Sequence, residues 1–195
     1  IAVACDPAFN FVYEANIRYL HHLGEVTYFS PLADTSLPDA GFVYLPGGYP
    51  ELYLAALSAN RLMLQSIRRY VENGGKLLAE CGGMMYLCDE IRDKNGDVYP
   101  MAGVLHQSAT MENMKLRLGY RTLLYNDARL KGHEFHYSRL VEQQDPLPSC
   151  AVAYTAKGVE TDTPLYHYKN VWAGYTHLYW ADPAGNDWFT KFIIK

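Results

Sequence analysis

Cysteine is scarce in this sequence. The four, Cys5, Cys81, Cys88 and Cys150, form no CxxC pair, and their spacing matches no zinc-ligand pattern. So few scattered thiols in 195 residues do not make a disulfide-built secreted scaffold; they fit a reducing cytoplasm. Positive charge is also short, with 17 Lys and Arg against 21 Asp and Glu. No basic face is implied, so nucleic acid is not an expected partner. Apolar runs are strand-sized, which leaves no transmembrane helix or signal peptide and no membrane partner. Repeats, low-complexity tracts and linkers are absent, so one domain is expected. A nucleotide-phosphate loop is absent too: "LPGGYPEL" (45–52) and "NGGKLL" (73–78) pair glycines, but neither continues into Gly-Lys-Ser/Thr. No initiator methionine precedes the opening "IAVAC", which suggests a fragment of a longer protein.

What is present is a core and a rhythm. Hydrophobic residues make up 49% of the chain, enough to bury a substantial interior. Apolar strands are predicted at 1–5, 25–30, 41–46 and 76–80. Helices are predicted between and after them at 11–23, 50–72 with a break near Ser58–Asn60, and 82–91. Fully apolar strands alternating with helices imply a parallel sheet covered on both faces. Beyond residue 91 the pattern changes. Stretches 115–125, 133–141, 150–156 and 165–173 read as antiparallel strands, followed by a helix at 183–194 opened by Pro183. The 17 tyrosines suit a core edge, an interface or a ligand pocket and do not choose among these.

The most informative stretch is "LLAECGGMM" (77–85). Ala79-Glu80-Cys81-Gly82-Gly83 fits a nucleophile elbow: small residue, any, nucleophile, any, glycine, with a strand before and a helix after. Such a turn puts a thiol at the carboxyl end of a parallel strand, where open α/β sheets place their sites. The following helix N-terminus favours a thiolate and a developing oxyanion. A buried cysteine followed by a plain glycine turn explains the residues equally well. For "PGGYP" an ordinary tight turn is the simpler account.

A cysteine nucleophile needs a base, and seven histidines compete: His21, His22, His106, His133, His136, His167 and His177. His21 and His22 end a helix. "HEFH" (133–136) is not a zinc-protease motif, because its histidines are three apart in a strand-like stretch. His177 lies in the aromatic segment "WAGYTHLYW", where a satisfied core histidine is a fair alternative.

Together "LPGGYPEL", "AECGGMMYL", "GHEFHYS" and "YTHLYW" resemble the class I glutamine amidotransferase domain of the cobyrinic acid a,c-diamide synthase family. "ACDPAFNFVYEAN" and "LAALSAN" extend the resemblance over nearly the whole chain. It implies a flavodoxin-like fold with a C-terminal antiparallel extension. It implies Cys81 as nucleophile, His177 as its base, and Gly47, Gly48 and Gly82 at the oxyanion and glutamine site. It implies L-glutamine as substrate and no metal or cofactor on this chain. ATP and Mg²⁺ belong to an absent synthetase domain, which amidates the a and c carboxylates of a corrinoid. Glu134, His136 and Tyr137 are candidates for the site or for the interface with that domain, with cross-strand packing equally open. One departure stands out. Class I members carry a glutamate two residues after the histidine, and here that position is Tyr179; the corrinoid branch tends to lack it. The oligomeric state stays open, a homodimer included. Rival readings are a cobyric acid synthase-type amidotransferase, a cysteine hydrolase or peptidase on a similar fold, and a non-catalytic module.

Overall fold

Alternation along each strand decides the architecture. The computed structural model describes residues 1–194, without the side chains of 183–186, 193 and 194. Its first half comprises β1 (Ala2–Ala4), α1 (Glu14–Leu23), β2 (Thr27–Phe29), β3 (Phe42–Leu45), α2 (Leu54–Ala59), α3 (Arg61–Glu72), β4 (Lys76–Glu80) and α4 (Gly82–Leu87). Successive side chains of a strand point to opposite faces. Ala2, Ala4, Val43, Leu45, Leu77 and Ala79 therefore face one side, where they meet Leu57 of α2 and Met63, Ile67 and Val71 of α3. Val3, Phe42, Tyr44 and Leu78 face the other, against Leu20 of α1 and Phe189 of the C-terminal helix. Each fully buried Val, Leu, Ile, Met or Phe among these contributes about 1.5–3 kcal/mol as an upper bound. The break between α2 and α3 falls at Asn60. Its Oδ1 accepts the Met63 N–H at 3.3 Å, and its amide donates to the Pro31 and Asp34 carbonyls at 2.8 Å.

The second half adds β5 (Glu90–Arg92), β6 (Val98–Pro100), β7 (Ser108–Thr110), β8 (Arg117–Tyr125), β9 (Ala128–His136), β10 (Arg139–Leu140), β11 (Val152–Thr155), β12 (Glu160–Thr161), β13 (Leu165–Tyr168), β14 (Val171–Gly174), β15 (His177–Leu178) and α5 (Pro183–Ile194). The main sheet runs β2-β1-β3-β4-β14-β13, parallel throughout except for β13 at its edge. An antiparallel sheet, β12-β11-β8-β9-β15, and a mixed sheet, β10-β7-β5-β6, complete the chain. No described helix is long and apolar enough to cross a membrane.

The structure corrects the expected elements in four places. The helix after the cysteine ends at Leu87, because Cys88 turns to extended backbone and Asp89 pairs with Gln107, leading into β5 rather than on to residue 91. The stretch 165–173 is a hairpin and not one strand. Lys169, at φ 52, reverses the chain, and β14 then enters the main sheet parallel to β4. The strand expected at 133–141 starts at Ala128 and breaks before Arg139. The first helix starts at Glu14, since Phe11 is held in a bridge to Gly47.

Candidate active site

The carboxyl ends of β3 and β4 lie side by side, and each is followed by one of the glycine turns. Cys81 sits directly after β4 with φ 49 and ψ −106, a conformation rare for a residue with a side chain. Such backbone costs on the order of 1–3 kcal/mol and persists only when its surroundings hold it. Here the Cys81 N–H donates to the Gly174 carbonyl at 2.8 Å, and the Cys81 carbonyl accepts the Met85 N–H at 3.0 Å. The turn is strained, anchored on both sides, and opens a helix.

The two-glycine loop after β3 lies between this elbow and His177. Gly48 has φ +156, and a Cβ there would meet the Ala8 carbonyl oxygen at 2.2 Å. A Cβ on Gly82 would lie 3.2 Å from Gly48 N, so the two backbones touch. On the other side, a Cβ on Gly47 would fall 2.1 Å from Cε1 of His177. The Cε1 edge of the imidazole thus abuts the loop. It is packed against Phe11 at a centroid distance of 4.3 Å, and its strand pairs His177 with His133 of β9. Cys81, His177, Gly47, Gly48 and Gly82 are all brought to this one corner.

Both side chains are held neutral. Burial, then the nearby Glu51 carboxylate, pushes the Cys81 thiol up to about 12, against a Gly82 N–H that favours the thiolate. Burial, then the neighbouring His133 and His136, depresses the His177 imidazole to about 3. The thiol donates to the Phe135 carbonyl at 3.7 Å, and His177 Nδ1 is buried with no hydrogen-bond partner among the described residues. No hydrogen bond joins Cys81 to His177. The cavity beside Cys81 is about 10 Å³, which holds about one water. The site is closed.

Tyr179 gives His177 no carboxylate. Its ring is partly exposed and packs edge-on against Tyr13. A buried carboxylate at this corner is Glu80. It accepts the Tyr44 hydroxyl at 2.6 Å, the Leu178 N–H at 3.0 Å and the Trp180 indole N–H at 3.4 Å. It therefore ties the elbow strand to the strand that carries His177. Burial raises it to about 7, against the three donors that favour its ionised form. A folded-state value above the ordinary one means that the stabilising proton is fully held below about pH 4.5 and lost as pH rises through 7. His177, depressed in the folded state, works the other way and removes stability as pH falls below 6.5. The Glu80 contribution is therefore read as a difference. Glu80→Gln should match the parent near pH 4.5 and exceed it at pH 8 by about 2–3 kcal/mol, on the order of 5–10 °C in Tm. Thermal melts of both proteins across this range check it; a constant offset between them would contradict it.

The "GHEFHYS" segment splits by position. Glu134 and His136 are buried, with Nε2 of His136 2.8 Å from Oε1 of Glu134 and Nδ1 2.8 Å from the Ser138 carbonyl oxygen. Arg121 and Thr163 also bond Glu134. Burial would raise that carboxyl, but the His136 bond and the Arg121 charge outweigh it and hold it low. The His136 ring stacks on Tyr175 at 3.7 Å. Tyr137 is half-exposed. His136 and Tyr137 line the Cys81 cavity together with Glu51, Met85 and Phe135. The last three, and Glu80, were not singled out from sequence. Glu51 and Glu80 had a signal, since both stand inside motifs already read as chemical; the Phe135 carbonyl had none.

Comparison with known proteins gives the family and the fold. The family model of the CobB/CobQ-like glutamine amidotransferase domain matches residues 1–185. The chain is 40% identical over 185 residues to hydrogenobyrinate a,c-diamide synthase of Pseudomonas aeruginosa, covering 92% of this chain and 41% of that one. It is 41% identical over 185 residues to cobyrinate a,c-diamide synthase of Fusobacterium nucleatum, with the same coverage. It thus spans about two fifths of the length of the curated relatives it matches. A solved glutamine amidotransferase shares the fold, with a TM-score of 0.62 at 15% identity over 100% of this chain and 99% of that one. PurLQS from Thermotoga maritima does likewise, with a TM-score of 0.59 at 16% identity over 99% and 94%. With a parallel sheet, a cysteine elbow and a family match over almost its full length, the chain belongs to the CobB/CobQ-like glutamine amidotransferase domain family.

Proposed function

We propose that this chain is the glutaminase part of a longer enzyme that amidates the a and c carboxylates of a corrinoid. The observation that carries this reading is the strained Cys81 elbow set against a two-glycine loop whose far side carries His177. Cys81 attacks the side-chain amide carbon of glutamine as its proton passes to His177. The tetrahedral oxyanion is met by the backbone N–H groups of Gly48 and Gly82; losing one such donor costs on the order of 100- to 1,000-fold in rate. His177 returns the proton to the leaving nitrogen, and ammonia departs. A γ-glutamyl thioester remains, which water hydrolyses to glutamate. In this closed geometry, moving a proton from a thiol near 12 to an imidazole near 3 is steeply uphill. Glutaminase activity of the isolated chain is accordingly weak, and it rises when the rest of the enzyme reshapes the site.

ATP and Mg²⁺ act in the region this chain does not cover. The chain has no Gly-Lys-Ser/Thr loop to hold phosphates, so no step on it runs through them. Four free cysteines and thiolate chemistry suit a cytoplasmic location. The test is a product assay on the complete enzyme with glutamine and with peptides. Release of glutamate in step with corrinoid amidation is expected. Peptide cleavage without glutamate release would establish a hydrolase instead.

A further inference from the structure

We propose that Glu51 recognises the α-ammonium group of glutamine and so selects a free α-amino acid over a bare amide. The proposal rests on the glutamine reading above and adds the residue that reads the distal end of the substrate.

Glu51 lies in the single turn Pro50–Leu52, directly after the Gly47–Gly48 loop. This turn is packed on the elbow: a Cβ on Gly82 would meet Cδ of Pro50 at 2.7 Å. Glu51 is therefore mounted on the same rigid corner as the thiol. Among the described residues it is the one carboxylate lining the Cys81 cavity. The other two carboxylates near the thiol are already committed. Glu80 accepts from Tyr44, Leu178 and Trp180, and Glu134 is engaged by Arg121, His136 and Thr163. Among the described residues Glu51 has no ion pair and no partner side chain; burial raises its carboxyl above the ordinary range, against its own backbone N–H. A half-buried carboxylate without a counter-charge is costly. Leaving one in a substrate cavity makes sense when the cation arrives with the substrate. Glutamine brings one such cation, the α-ammonium, four bonds from the amide carbon that Cys81 attacks.

The placement has a second consequence. After burial, Glu51 is the largest influence holding the thiol neutral. An ammonium bound to Glu51 cancels that field. Glutamine would thus ease ionisation of the thiol that attacks it, and the empty site would keep Cys81 unreactive toward other electrophiles.

The test compares glutamine with glutaramate, which is glutamine without its α-amino group, in the complete enzyme and its Glu51→Gln variant. The parent should prefer glutamine in kcat/KM by about 10- to 100-fold, the range for a hydrogen-bonded charge pair. Glu51→Gln should raise KM for glutamine by a similar factor, change glutaramate turnover far less, and speed alkylation of Cys81 by iodoacetamide. An unchanged KM for glutamine overturns the proposal. So does an equal loss on both substrates with slower alkylation, which would mark a structural role. If the parent hydrolyses neither compound, the glutamine reading itself has failed, and the proposal with it.

Discussion

Replacing Cys81 with alanine abolishes glutamine-dependent amidation in the complete enzyme, by on the order of 10⁴-fold or more, and leaves ammonia-dependent amidation within about twofold of the parent. The first loss follows from chemistry. No other thiol can take over, because Cys88 is fully buried and Cys5 and Cys150 lie outside the cavity. Removing the nucleophile of a covalent mechanism leaves only binding and the oxyanion donors, which preserve a small residual rate. The survival of the second activity follows from division of labour: external ammonia bypasses the thioester. The substitution is mild for the fold. Cys81 holds its turn through backbone bonds to Gly174 and Met85, and alanine keeps both. Parallel assays with glutamine and with ammonium salts decide the matter. Equal loss of both activities would mean that Cys81 supports the structure and not the chemistry.

The second large effect is expected at Gly47. Gly47→Ala should lower glutamine-dependent kcat/KM by at least about 100-fold while the protein stays folded. The added methyl would fall 2.1 Å from Cε1 and 2.8 Å from Nδ1 of His177, closer than any real contact. The imidazole cannot simply retreat. Phe11 packs on it, and the backbone beyond it is fixed by the Leu178 N–H bond to Glu80 and by pairing with β9. The ring must rotate or the loop must shift, and misplacing a catalytic group by about 1 Å costs on the order of 100-fold. Gly47 itself has no positive φ, so the substitution adds no backbone strain there. Steady-state kinetics beside a thermal melt separate the outcomes. A folded Gly47→Ala protein with activity within fivefold of the parent would show that the observed His177 position is not the working one.

Much of this was legible in the sequence, for reasons of range. The parallel strands were readable because each is a short apolar run, and burial on both faces demands that. The elbow was readable because strand, cysteine, paired glycines and helix are consecutive. The break expected near Ser58–Asn60 falls at Asn60, whose cap acts within three residues. What failed was non-local. The stretch 165–173 has uniform strand character, and only the open edge of β4 explains why its second half crosses into the main sheet as a parallel strand. The helix after Cys81 carried no stop signal in its own residues; the pairing of Asp89 with Gln107 ended it. Glu80 looked like filler between Ala79 and Cys81. Its partners Tyr44, Leu178 and Trp180 are 36, 98 and 100 residues away. The absence of a carboxylate after His177 was visible at Tyr179, but not that a buried glutamate beside Cys81 fixes the histidine strand from the other side.

The central claim is that Cys81 is a thiol built to be acylated by glutamine. The most direct measurement is labelling of the complete enzyme with 6-diazo-5-oxonorleucine, a glutamine-mimicking electrophile, mapped by mass spectrometry with and without excess glutamine. The four cysteines provide their own control, because Cys5 is the exposed thiol and an unselective reagent would reach it first. A single modification at Cys81, suppressed by glutamine, is the predicted result. Labelling led by Cys5 or spread over Cys5, Cys88 and Cys150, unaffected by glutamine, would contradict it.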